Sequence, residues 1–127
     1  MRKSFTMVCA AVFAALLLAP VSAMQAPNKN VSTMAGILLK LNHFASDPEK
    51  ATLKQIVDDK AASEYEKTVA QALINVQHTA TAADKAKLEA LVKDPKAPEA
   101  TKTIATAILG VNHMATDADK EKLKKLV

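Results

Sequence analysis

Residues 68–92 read TVAQALINVQHTATAADKAKLEALV, and the pattern recurs at 33–57 (TMAGILLKLNHFASDPEKATLKQIV) and at 103–127 (TIATAILGVNHMATDADKEKLKKLV). The period is 35 residues. Seven positions are identical in all three copies: Thr33/Thr68/Thr103, Ala35/Ala70/Ala105, His43/His78/His113, Ala45/Ala80/Ala115, Lys50/Lys85/Lys120, Leu53/Leu88/Leu123 and Val57/Val92/Val127. Fixed-period self-similarity of this length marks a repeat architecture. The repeats run from about 28 to 62, 63 to 97 and 98 to 127.

Each copy reads as a helix-turn-helix. In the first helix, apolar residues fall at i, i+3, i+4 and i+7: Met34, Ile37, Leu38, Leu41; Val69, Ala72, Leu73, Val76; Ile104, Ala107, Ile108, Val111. That is helix periodicity, repeated three times. Leu39, Ile74 and Leu109 widen the apolar arc, which predicts an inner helix packed between neighbours. The second helix opens on Ser46, Thr81 or Thr116, with Glu49, Asp84 or Asp119 three residues on. A hydroxyl at the N-cap and an acid at N3 satisfy orphan N–H groups and suit the positive helix end. Its stripe, Leu53, Ile56 and Val57, is narrower, as in an outer helix. Ser63 with Glu66 predicts a capping box for the next inner helix, Pro98 suits the N1 position of the one after, and Asn28 stands at the equivalent place in copy one.

The expected fold is therefore all-α: three tandem helix pairs sharing one core. They form a small α-solenoid of tetratricopeptide-like architecture or a compact helical bundle. The likeness to tetratricopeptide repeats is one of period and architecture only, because the large aromatics and the Gly of that pattern do not occur here.

Residues 1–23 read as a secretory signal peptide rather than as part of the fold. Arg2 and Lys3 form the n-region, Val8 to Ala19 the apolar run, and Val21-Ser22-Ala23 the small-residue cleavage pattern. Twelve apolar residues are short for a bilayer span, so a retained membrane anchor is the weaker alternative. Cleavage after Ala23 removes the only cysteine, Cys9, and the only arginine, Arg2, and leaves residues 24–127 as one helical repeat domain. The expected location is the periplasm or the exterior, with no transmembrane span after cleavage. The mature net charge of +2, with Phe44 and Tyr65 as the remaining aromatics, argues against nucleic acid. Phosphate recognition favours the guanidinium fork, and single strands favour stacking platforms.

The repeated histidine admits two readings. In one it ends the inner helix and locks the turn by bonding orphan carbonyls. In the other it is a ligand. Met114 beside His113 suggests copper, and His43/Asp47 and His113/Asp117 share a spacing of four. Stacked helix pairs place equivalent residues ~8–10 Å apart, whereas zinc needs ligands at ~2.0–2.3 Å. A ladder of histidines then fails to converge unless the stack is tightly curved. No nucleophile, phosphate loop or His-Glu-x-x-His motif points to an enzyme.

The leading functional expectation is an exported, non-enzymatic binding or scaffold protein without a cofactor. It would recognise a protein or peptide through the polar stripe of the inner helices: Thr33, Lys40 and His43; Thr68, Gln71, Asn75 and His78; Thr103, Thr106 and His113. The alternative is a small periplasmic protein holding copper, zinc or haem through His43, His78, His113 and Met114. A third is a chaperone-like or lipid contact through Leu39, Ile74 and Leu109, should they be exposed.

Overall fold

The computed structural model describes residues 28–127; the signal-peptide reading of 1–23 lies outside them. Six α-helices follow one another: α1 (Lys29–Lys40), α2 (Asp47–Asp58), α3 (Glu64–Asn75), α4 (Ala82–Lys93), α5 (Glu99–Leu109) and α6 (Asp117–Leu123). The last runs on into a 3₁₀ turn, Lys124–Leu126. No helix among them is long and apolar enough to cross a membrane.

The helix starts follow the local chemistry. Ser46 and Ser63 head capping boxes with Glu49 and Glu66, and the hydroxyls of Thr81 and Thr116 accept from the amides of Asp84 and Asp119. The side chain of Asn28 accepts from the Val31 amide. Pro98 stands one residue earlier than expected, at the N-cap itself, where its missing N–H also costs nothing. Between copies, Asp59 and Asp94 each fold back on the chain. Their carboxylates accept from the amides of Ala61 (2.8 Å) and Lys96 (2.9 Å), while Ala62 and Ala97 tuck into the core.

The inner helices α1, α3 and α5 run parallel, and each touches the other two. Ala35, Ala70 and Ala105 are fully buried, and side chains this small let three helices approach closely. Met34, Val69 and Ile104, then Leu38, Leu73 and Ile108, fill the space around them. The outer helices contribute Leu53, Leu88 and Leu123, all completely buried. Each such leucine is worth ~1.5–3 kcal/mol of burial. Leu39, Ile74 and Leu109 are half-buried against this core rather than free, which removes the basis for a lipid or chaperone contact through them.

The helix pairs close on themselves. Helix α2 lies against α3, α4 against α5, and α6 with its 3₁₀ turn returns against α1. The Ser32 hydroxyl donates to the Leu126 carbonyl at 2.7 Å across this closure. The chain therefore forms a compact bundle with a pseudo-threefold axis, one repeat per third. This is the limit of tight curvature in which equivalent residues meet instead of forming a ladder.

Candidate metal centre

At the C-terminal ends of α1, α3 and α5 the backbone makes the same turn three times. The helices end at Lys40, Asn75 and Leu109, so each histidine lies beyond its helix, not in its last turn. His43, His78 and His113 are the only non-glycine residues with positive φ among those described, at 70°, 66° and 67°. In two copies the amide after the histidine donates to the carbonyl before it, Phe44 to Asn42 at 2.9 Å and Thr79 to Gln77 at 2.7 Å. A positive φ inside an i to i+2 hydrogen bond is a γ-turn of the rare, strained hand. The left-handed region costs a non-glycine residue roughly 1–2 kcal/mol. Glycine or asparagine would adopt it more readily, yet all three copies carry histidine.

The backbone of the three turns forms a closed ring. The His43 amide donates to the His113 carbonyl (2.6 Å), His78 to His43 (2.7 Å) and His113 to His78 (2.7 Å). This cycle fastens the first repeat to the third. Ala45, Ala80 and Ala115, two residues on, are buried beneath it.

Above the ring the imidazoles converge. Their Nδ1 atoms stand 3.1 Å apart for His43 and His78, 2.9 Å for His43 and His113, and 2.9 Å for His78 and His113. The rings form a three-bladed propeller, with centroids 4.9–5.0 Å apart and interplanar angles of 73–81°. His43 is half-buried; His78 and His113 are exposed. The expectation that the histidines do not converge is thus overturned. It assumed an open stack, and the closed ring brings residues 35 apart in sequence onto one axis.

No distribution of protons satisfies this triangle. A protonated ring nitrogen donates and has no lone pair in its plane with which to accept. Three bare nitrogens oppose three lone pairs. One proton can serve two contacts at best and leaves the third pair opposed; two or three protons face one another. A cation on the axis satisfies all three nitrogens at once. The field favours one as well, because three parallel helices direct their negative ends toward this pole.

The rest of the polar stripe goes elsewhere. Thr68, Thr103 and Thr106 donate to carbonyls of their own helices, those of Glu64, Glu99 and Lys102. Gln71 donates to Asn75 at 3.1 Å, and Asn75 to Asp84 at 3.0 Å, tying α3 to the start of α4. Thr33 and Lys40 line a shallow groove of about 310 Å³ between α1 and α2, with Pro48, Glu49 and Thr52 on its other wall. Of the ten stripe residues, the three histidines meet across all three repeats.

Met114 does not join them. Its sulfur accepts from Lys120 Nζ at 3.8 Å, just as Lys50 Nζ lies 5.5 Å above the Phe44 ring. Both side chains following a histidine are thus turned onto outer helices, where both remain exposed. Asp47 and Asp117 also stand apart, since the cluster of potential ligands among the described residues consists of the three histidines alone. Nor do the imidazoles cap their helices: Nδ1 faces the other rings, and the cap amides of Leu41, Val76 and Gly110 close the last turns. The sequence could not show the positive φ, which belongs to the turn and not to any residue preference. It did carry a trace of closure, in the invariance of His, of Ala two residues later, and of Ala35/Ala70/Ala105.

Compared with protein-family models, with curated proteins and with solved structures, the chain shows no match.

Proposed function

We propose that this protein binds a transition-metal ion through Nδ1 of His43, His78 and His113, in the exported compartment implied by the reading of residues 1–23. The convergence of three Nδ1 atoms at 2.9–3.1 Å carries the proposal. Imidazole suits zinc, copper, iron and nickel. Haem fits poorly, because a porphyrin leaves its iron only two opposed axial positions, whereas these nitrogens lie on one side of any shared ion. Nothing comparable supports docking of a peptide or protein on the inner-helix stripe, where Thr68, Gln71, Asn75, Thr103 and Thr106 bond within their own repeats.

The site is built to hold an ion and present it. Its backbone is fixed by the ring of amide hydrogen bonds, while its outer face lies at the protein surface. Among the described residues no carboxylate joins the three histidines.

Glycine substitution separates ligation from turn geometry. At φ near 70°, glycine releases backbone strain, so His43→Gly, His78→Gly and His113→Gly should each leave stability within about 1 kcal/mol of the parent or raise it. Each should also remove metal binding in equilibrium dialysis with Zn²⁺ or Cu²⁺. Binding that survived all three substitutions would overturn the proposal. So would a parent protein that bound neither ion.

A further inference from the structure

We infer that the histidine triangle holds its ion by one face of a six-coordinate shell, leaving three positions on the outward side, and that it therefore fits Ni²⁺ or Cu²⁺ better than a tetrahedral zinc site would. This rests on the metal-binding reading above and adds the coordination geometry and the class of ion.

The edge length of the triangle decides it. With metal–nitrogen bonds of ~2.0–2.1 Å, ideal tetrahedral angles separate two ligand nitrogens by about 3.3–3.4 Å, and a trigonal plane by about 3.5 Å. Right angles at the metal separate them by only about 2.9 Å. The observed edges are 2.9, 2.9 and 3.1 Å. They correspond to angles of about 90–100° at an ion roughly 1 Å off the plane of the three nitrogens, for the same ~2.0–2.1 Å bonds.

The backbone resists widening of the triangle. The three histidine amides are bonded in a cycle at 2.6–2.7 Å, and the ring nitrogen involved is Nδ1, the one nearer the main chain. Opening the edges by several tenths of an ångström strains that cycle or turns the rings out of their mutual edge contacts. Among imidazole-binding ions, Ni²⁺ and Cu²⁺ take tetragonal six-coordinate shells, one face of which offers three mutually right-angled positions. Zn²⁺ has no preference from its d electrons and adapts to whatever the ligands impose. The outward positions are free for water or a small chelating ligand, because His78 and His113 are exposed and Phe44 and Met114 are drawn toward the outer helices.

The visible spectrum of the Co²⁺-loaded protein reads the geometry directly, with the His78→Gly protein as the blank. Weak, rose-coloured absorption at one equivalent is expected, the mark of six-coordination, together with displacement of Co²⁺ by Ni²⁺ at lower concentration than by Zn²⁺. Intense blue absorption would show a tetrahedral ion and overturn this inference while leaving metal binding intact. Absence of any Co²⁺ signal, with Zn²⁺ and Cu²⁺ also unbound in dialysis, would overturn both readings.

Discussion

The two ends of the inner-helix bundle obey the same pseudo-symmetry and use it differently. At the C-terminal pole the three copies are chemically identical: histidine at positive φ, a buried alanine two residues on, and a cyclic backbone ring. At the N-terminal pole the equivalent buried positions are Val31, Glu66 and Thr101, and the caps are Asn28, Ser63 and Pro98. The three copies there satisfy their polar groups in different ways. The Glu66 carboxylate accepts from Asn28 and Asn30 of the first repeat, while the buried Thr101 hydroxyl has no partner among the described residues. Helix packing tolerates such divergence, because burial needs only volume and a satisfied polar atom. A shared ion does not, because every missing ligand is felt by the whole site. Identity at one pole and divergence at the other is what a binding site on an otherwise ordinary scaffold should look like.

This contrast can be broken from either end. The largest effect belongs to the histidine pole: His78→Ala should weaken metal binding by more than about 100-fold, beyond the loss typical of an outer-shell partner. It should leave the helical circular dichroism unchanged. Loss of helix along with binding would instead make the histidines part of the scaffold. At the other pole, Glu66→Ala strands two asparagine donors and should cost about 1.5–3 kcal/mol in urea unfolding, the range for hydrogen bonds to a charged group. Metal affinity should stay at the parent value; a coupled loss would show that the poles are not independent.

Thr101→Val removes the unpartnered hydroxyl and should raise stability by about 1 kcal/mol, read as a higher urea midpoint. A drop would mean that the hydroxyl has a partner in solution. The smallest effect concerns the joint between the second and third repeats. The Lys96 amide, then the Tyr65 hydroxyl at 2.7 Å, hold the Asp94 carboxyl below its ordinary value, and the same hydrogen bond raises Tyr65. A lowered acid stabilises the fold above its unfolded value of ~3.9 and loses that contribution as pH falls through the folded one. Asp94→Asn should therefore lower stability slightly at neutral pH, leave it at the parent value in strong acid, and so flatten the acid limb of the stability curve. An unchanged acid limb would remove Asp94 from the account.

The fold was legible in the sequence because it rests on local rules. Ser46, Ser63, Thr81 and Thr116 start helices where a hydroxyl is followed three residues later by an acid, and Leu53, Leu88 and Leu123 are buried where the narrow stripe places them. The site was legible only in part. His43, His78 and His113 stood out by recurrence, but their meeting depends on ring closure, which no single repeat encodes. The inward turn of the imidazoles depends on a backbone conformation that histidine rarely adopts. Met114 misled for the same reason: adjacency to His113 in sequence says nothing about direction at a residue with positive φ, and its sulfur lies toward Lys120. In the rest of the polar stripe, Thr68, Thr103 and Thr106 donate their hydroxyls to carbonyls of their own helices.

The most direct test is nitrogen NMR of the histidine rings, which resolves Nδ1 from Nε2, during titration with diamagnetic Zn²⁺. All three Nδ1 signals should shift together and be complete at one ion per chain, while each Nε2 keeps its proton. Shifts at Nε2, movement of one ring alone, or three rings indifferent to the ion would contradict a shared centre on the pseudo-threefold axis.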